Sequence, residues 1–150
     1  MTTQAWGRAL LGFSIVTTVL IVAVADVFNT THLFNPAWPP HARFHNAMQA
    51  WTLLLVSTVS FIGLLRGHYG VAAIAPATFW PSLWLSLPVP GTTVYATEAM
   101  AEAGIPINLI VAAVWLAFTA FGHRLATRPE GADPVATTAT GGLGPNRIET

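Results

Sequence analysis

Long uncharged apolar stretches alternate along this chain with shorter segments that hold most of its polar and charged residues. A helix needs about 20 mostly apolar residues to cross a bilayer, and four stretches reach or approach that length. We expect the four spans at residues of about 7–27, 44–66, 70–87 and 106–123. The pattern therefore predicts an all-α, polytopic integral membrane protein, with a four-helix bundle over residues 1–125 and structured outer loops.

The arginines predict which side of the membrane each loop occupies. With alternating spans, only Arg43 falls on the outer side. The inner side holds Arg8, Arg66, Arg124 and Arg128. Because arginine is enriched in cytoplasmic loops, we expect a multi-pass protein of the cell membrane with both termini in the cytoplasm. Residues 126–150 are rich in Gly, Pro, Thr and Ala without apolar periodicity, which predicts a disordered cytoplasmic tail.

The composition is that of a membrane protein rather than a soluble one. Of the 150 residues, 53% are hydrophobic and 8% are charged, whereas an ordinary soluble domain carries roughly 25% charge. Nucleic-acid binding is not expected, because the six basic residues are scattered and the net charge is zero. The chain has no Cys, which rules out disulfides, thiolate metal sites and a Cys nucleophile. The expected partners are the lipid bilayer and a lipophilic small molecule.

The first outer loop, residues 26–45, concentrates the candidate chemistry. It holds His32, His41 and His45. A Pro-Pro pair favours a helix start near His41, which places His41 and His45 four residues apart on one helix face. The positive end of the helix dipole favours neutral imidazole, the form that binds a metal or accepts a proton.

The second outer loop offers acidic side chains at the same spacing. Thr97 is a candidate N-cap and Gly104 a candidate C-terminal cap of a short helix. This helix carries Glu98 and Glu102 four residues apart. If the two loops meet over the mouth of the bundle, their imidazoles and carboxylates form a mixed cluster. Such a cluster suits a divalent metal (Fe, Zn or Mn) or metal-free proton transfer.

Three sets of residues are candidates for this site. The candidate catalytic residues are His41, His45, Glu98, Glu102 and Arg43. The candidate metal ligands are His32, His41, His45 and Asp26. The candidate lining of a substrate cavity is Asn29, Asn35, Trp38, Met48, Trp80 and Asn108. Structural roles stay open beside these: interfacial histidines, a solvated acidic turn, a polar helix end and packed tryptophans. Arg43 either neutralises the acids or binds an anionic substrate.

One segment resembles a known family. The resemblance is carried by the run His32-Leu-Phe-Asn35-Pro-Ala-Trp38-Pro-Pro-His41-Ala-Arg43-Phe-His45. It looks like the signature of a small family of four-span membrane proteins of unknown function from bacteria and fungi. In size and span number the chain is also similar to membrane oxygenases of the anthrone oxygenase type, and in layout to the emopamil-binding sterol isomerases. These resemblances imply a four-span fold and transfer no site residue.

Two classes of function follow. In the first, the protein is a membrane enzyme that acts on a lipophilic substrate at the outer mouth of the bundle, either as a metal-dependent oxidoreductase or as an acid–base isomerase. In the second, it is a non-enzymatic membrane subunit or a small-ligand binding protein. The first span carries small residues that permit close helix approach, and a homo-oligomer is among the partners they allow. These residues are Gly7, Gly12, Ser14, Thr17 and Thr18.

Overall fold

The computed structural model describes residues 2–95 and 97–129, and within these residues the chain forms helices and loops but no strand. The elements are α1 (Thr3–Val22), a π-helical turn (Ala23–Val27), α2 (Pro40–Leu65), α3 (Tyr69–Leu85), α4 (Glu98–Ala103) and α5 (Ile107–Ala126). Residues 130–150 of the predicted tail lie outside the described residues. The tail was predicted to begin at Ala126, but this residue is the last one of α5.

Among residues 2–95 and 97–129, three helical segments are long and apolar enough to cross a membrane, which indicates a membrane protein. They are Thr3–Val27, Pro40–Leu65 and Ile107–Ala126. The helix α3 has 17 residues and is shorter than each of these. At a rise of 1.5 Å per residue, α3 extends about 25 Å.

Local sequence sets the ends of α1 and α2. The Thr2 hydroxyl accepts a hydrogen bond from the Ala5 amide at 3.2 Å and caps α1. The predicted start of α2 at the Pro-Pro pair is confirmed, since the helix begins at Pro40. It ends in a Schellman turn, in which Gly67 has a φ of 76° and the His68 amide donates to the carbonyl of Gly63 at 2.8 Å. This turn reverses the chain, so that α2 and α3 are antiparallel neighbours.

The helices α1 and α3 form the centre of the bundle. Both contact α2 and α5, and they also contact each other. In the described part of the chain, no Cα atom of α2 lies within 8 Å of one of α5, so this central pair separates the two helices. The buried face of α1 repeats at helical spacing and holds Leu11, Ser14, Ile15 and Thr18.

Small residues let α1 and α5 pack closely in antiparallel orientation. A Cβ added at Gly7 would lie 2.2 Å from the backbone nitrogen of Ala126. Further along, the buried hydroxyls of Ser14 and Thr119 form a hydrogen bond of 2.7 Å. Gln4 Nε2 donates to the Ala126 carbonyl at 3.3 Å, so the start of α1 lies beside the end of α5. The small residues of the first span thus serve contacts within the chain.

Tryptophan–threonine hydrogen bonds join the two central helices to each other and join α1 to α5. Trp80 of α3 is 3% exposed and donates its indole N–H to Thr18 Oγ1 of α1 at 3.0 Å. Trp115 of α5 donates to Thr17 Oγ1 at 2.7 Å. Each bond satisfies an indole N–H away from water and fixes one helix against another. The helix α3 continues through both of its internal prolines, Pro76 and Pro81.

Candidate functional site

A cavity of about 270 Å³ lies between α1 and α2 next to the first outer loop, and is called here the α1–α2 cavity. The wall formed by α1, the π-helical turn and the loop consists of Val19, Val22, Ala23, Val27, Phe28 and Leu33. The wall formed by α2 consists of Ala47, Ala50, Trp51, Leu53 and Leu54. Since none of these side chains is charged, the cavity suits the apolar part of a ligand.

The π-helical turn places a carboxylate beside this cavity. Asp26 lies in the same turn as Ala23 and Val27, which line the cavity. Its Oδ1 is 3.6 Å from His32 Nδ1, and the two side chains are 34% and 30% exposed. The Leu33 amide donates to the Asp26 carbonyl at 3.2 Å and holds the loop against the turn. π-Helical turns of this kind are frequent at functional sites.

Hydrogen bonds around His32 fix which ring nitrogen carries the proton. Asn29 Nδ2 donates to the carbonyls of Val24 and Ala25, so its Oδ1 faces Thr31. Asn29 Oδ1 can only accept, and it therefore takes the Thr31 hydroxyl proton over 2.5 Å.

The Thr31 oxygen must then accept from His32 Nδ1, which lies 2.7 Å away. In the neutral ring the proton consequently sits on Nδ1 and points to Thr31 Oγ1, with Asp26 Oδ1 3.6 Å from the same nitrogen, and Nε2 keeps its lone pair. A carboxylate behind the protonated nitrogen and a free lone pair on the other nitrogen are the arrangement of a histidine base.

Three residues predicted to line a substrate cavity shape the first loop instead. Asn29 caps the end of the π-helical turn through the bonds just described. Asn35 forms a turn, in which its Oδ1 accepts from the Ala37 amide at 3.0 Å and its Nδ2 donates to the Thr31 carbonyl at 3.3 Å. Trp38 packs edge-on against the His32 ring, with centroids 5.5 Å apart, and thereby limits rotation of the imidazole.

The predicted pairing of His41 with His45 is present, but the pair does not face the α1–α2 cavity. Their Nε2 atoms are 3.0 Å apart and both side chains are exposed. At about 100° per residue, the pair lies about 165° around α2 from the row Ala47, Ala50 and Leu54. Met48 continues the histidine face and is 50% exposed.

The second outer loop forms the predicted short helix. Thr97 caps α4 by accepting from the Met100 amide at 3.3 Å, and Gly104 ends it with a φ of 67°. Glu98 and Glu102 are exposed, and α4 packs against none of the other described helices. Nothing in the described residues therefore brings these carboxylates to the histidines.

The four predicted metal ligands do not fit a common metal site. Asp26 and His32 form one pair, and His41 and His45 form another. Within residues 2–95 and 97–129, no group of three or more His, Asp or Glu side chains could hold a metal ion. A protein site for Fe, Zn or Mn ordinarily draws three or more ligands from such groups.

The remaining predicted residues also lie away from the α1–α2 cavity. Trp80 is in the bundle core, and Asn108 Nδ2 donates to the Val94 carbonyl at 3.0 Å, where it ties the second loop to α5. Arg43 is partly buried near the start of α2. None of the six predicted lining residues lines this cavity. The apolar residues that do line it were missed, although Ala47 and Ala50 supply a signal: small side chains on one helix face leave room beside a neighbouring helix.

The described site thus combines an apolar cavity with the Asp26–His32 pair, whose chain neighbours Val27 and Leu33 line the cavity. The predicted histidine–glutamate cluster is replaced by separate pairs. The chain matches no protein-family model, no curated protein and no solved structure, so the resemblances noted in the sequence stay predictions.

Proposed function

We propose that the chain crosses the membrane four times, through α1, α2, α3 and α5. The support is the position of the ends: Gln4 and Ala126 are in contact, so the chain enters and leaves the bundle at the same end. An even number of crossings is required for that arrangement, and three spans do not provide it. The helix α3 runs beside α1 as deep as Thr18, and its 17 residues meet the lower limit of about 17 for a crossing helix.

Cysteine accessibility tests the four-span proposal, because the chain has no native Cys to interfere. Single variants Thr2→Cys, His68→Cys, Thr93→Cys and Thr127→Cys are treated with a membrane-impermeant maleimide on intact cells and on inverted vesicles. We expect Thr93→Cys to be labelled from the outside and the other three from the inside. Labelling of His68→Cys and Thr93→Cys from the same side would contradict a crossing by α3.

We further propose that the protein binds a lipophilic molecule in the α1–α2 cavity. The cavity is close in size to the roughly 300 Å³ at which small-molecule sites begin, and its walls carry no charged side chain. It adjoins outward helix faces rich in exposed apolar side chains, such as Leu20 at 56% and Leu55 at 64%, over which a lipophile dissolved in the bilayer would arrive.

The reaction that the site supports best is acid–base isomerisation, and the observation that carries it is the Asp26–His32 pair. Asp26 lies in the last turn of the apolar segment Thr3–Val27, and ionisable groups within membrane spans are rare and are functional by default. In the proposed reaction, His32 Nε2 takes a proton from one carbon of the bound molecule. Asp26 stabilises the imidazolium that forms, and His32 returns the proton at another carbon, so that a double bond moves without net oxidation.

Photolabelling tests the binding step. A dodecanol analogue that carries a diazirine in its chain is irradiated with the protein in lipid nanodiscs, and the labelled peptides are identified by mass spectrometry. We expect label on the cavity residues of α1 and α2. The substitution Ala50→Trp should fill the cavity and remove the label, whereas Ala113→Trp, on an exposed position of α5, should not. Uniform labelling of all lipid-facing helices would contradict a binding site.

A non-enzymatic ligand-binding protein is the second candidate, favoured by the absence of charged side chains from the cavity lining. The two candidates differ in one observable. An acid–base enzyme exchanges a carbon-bound hydrogen of its ligand with solvent, so that D₂O supplies deuterium to the ligand. A binding protein shows the same photolabelling and no such exchange.

A further inference from the structure

Two polar side chains lie on the cavity side of α2, one turn closer to the outer end than the lining residues. Helical spacing of four and three residues places Arg43 in line with Ala47 and Ala50. The same spacing places Asn46 in line with Ala50 and Leu53. Both side chains lean toward the start of α2, because helical side chains point toward the N-terminal end. They therefore lie where the apolar walls of the cavity give way to the loop.

Asn46 has an unmet hydrogen-bonding capacity at this position. Its Oδ1 is buried and has no hydrogen-bond partner among the described residues. Buried polar atoms without partners are uncommon and costly in proteins. Rotation of the amide by a half-turn exchanges Oδ1 for Nδ2 at the same buried position, so Asn46 is able to offer a ligand either an acceptor or a donor.

Arg43 is a cation without a matching anion in the described structure. It is partly buried and forms no salt bridge with residues 2–95 or 97–129. The nearest acid along the loop, Asp26, lies 3.6 Å from His32 and forms no salt bridge with Arg43. The acids of the second loop, Glu98 and Glu102, lie on α4, which packs against none of the other described helices. An anionic group of a ligand would complement the guanidinium.

We propose that the α1–α2 cavity binds a single-chain amphiphile with a carboxylate head, that is, a fatty-acid-like molecule. This inference rests on the proposed lipophile site and names the chemical class of its ligand. The apolar chain occupies the cavity, and the carboxylate lies between Arg43 and Asn46. The planar guanidinium matches a carboxylate with two parallel hydrogen bonds, and Asn46 Nδ2 supplies a third donor.

The volume of the cavity favours a ligand with one acyl chain over a ligand with two. At about 30 Å³ for each water-sized group, about 270 Å³ holds roughly nine such groups. That volume accommodates most of one medium-length acyl chain. A phospholipid brings two chains and a larger head, so the proposal commits to a free single-chain carboxylate.

Competition against the photolabel tests the proposal. Dodecanoate, dodecanol and dodecylamine compete with the diazirine analogue of dodecanol in nanodiscs of neutral lipid, and each competitor is expressed as a mole fraction of the membrane. We expect dodecanoate to displace the label at about tenfold lower mole fraction than dodecanol, as one charge-assisted contact allows. Dodecylamine should compete least, because its ammonium is repelled by Arg43.

Matched variants identify the residues responsible. Arg43→Gln should remove the advantage of dodecanoate over dodecanol and leave the photolabel itself in place, which also shows that the variant is folded. Asn46→Leu should reduce the advantage. Arg66→Gln, at the opposite end of α2, should leave it unchanged.

The outcomes separate this proposal from the site on which it rests. If the cavity is not labelled at all, the proposed function fails. If the cavity is labelled but dodecanoate competes no better than dodecanol, the carboxylate proposal is overturned and the lipophile site stands. If nanodiscs of phosphatidylglycerol suppress labelling as strongly as dodecanoate does, the occupant is a bilayer lipid and the proposal is also overturned.

Discussion

Replacement of Gly7 by Ala should separate the paired ends of α1 and α5. The added Cβ would lie 2.2 Å from Ala126 N, 2.7 Å from Ala126 Cα and 2.7 Å from Leu125 C. All three atoms belong to the backbone, so no change of side-chain rotamer relieves the overlap. The distance of 2.2 Å is the shortest between an added Cβ and a neighbouring atom at any described glycine.

The size of the effect follows from the shift that the methyl group imposes. Ordinary contact of a Cβ begins at 3.4 Å, so one helix must move by about 1.2 Å relative to the other. The shift also strains the hydrogen bonds Gln4–Ala126 and Ser14–Thr119, which join the same helices. Overpacking typically costs about 1–3 kcal/mol, and since this overlap is with rigid backbone we expect a loss of about 3 kcal/mol.

The assay is reversible unfolding in mixed micelles with increasing mole fraction of SDS, which gives the free energy of unfolding. Gly70→Ala is the matched control, because a Cβ at this helical position meets nothing within 4 Å. The higher helix propensity of Ala should leave that variant unchanged or more stable by up to about 1 kcal/mol. If Gly7→Ala unfolds within about 0.5 kcal/mol of Gly70→Ala, the ends of α1 and α5 are not in contact, and the argument for four crossings loses its support.

Three further predictions test other contacts. Thr18→Val removes the acceptor of the buried Trp80 indole N–H and should lower the free energy of unfolding by about 1 kcal/mol, whereas an unchanged value would exclude that bond. The double variant His41→Ala/His45→Ala should leave photolabelling of the cavity intact, since the pair lies on another face of α2; loss of the label would place the pair at the cavity. Thr31→Val removes the hydroxyl that orients His32 and should reduce deuterium exchange about tenfold while leaving photolabelling unchanged, and equal loss of both would assign Thr31 to binding.

The helices could be predicted because the sequence features that define them are local. Apolar length indicates α1, α2 and α5, the Pro-Pro pair marks the start of α2, and Thr97 with Gly104 brackets α4 as expected. The helical spacing of His41 and His45 is enough to place them together. Each of these expectations depends on residues within a few positions of one another.

The candidate site was less predictable because its geometry depends on contacts between distant segments. The sequence predicted that His41, His45, Glu98 and Glu102 form one cluster if the two outer loops meet. However, α4 does not pack on α2, which carries both histidines. The pairing of Asp26 with His32 involves a π-helical turn, which has no simple spacing pattern in the sequence. One of the two tryptophans assigned to the cavity lining, Trp80, lies in the bundle core, where it donates a hydrogen bond to Thr18.

The most direct test of the proposed acid–base function is deuterium transfer to a lipid. The protein in nanodiscs made from the total lipid extract of its host membrane is incubated in D₂O, and the lipids are extracted, washed in H₂O and analysed by mass spectrometry. We predict that one lipid class gains carbon-bound deuterium with the wild-type protein and with His41→Ala/His45→Ala, but not with Asp26→Asn or His32→Gln. Equal deuteration by Asp26→Asn and the wild type, or none by a wild-type protein whose cavity is photolabelled, would contradict the proposed catalysis.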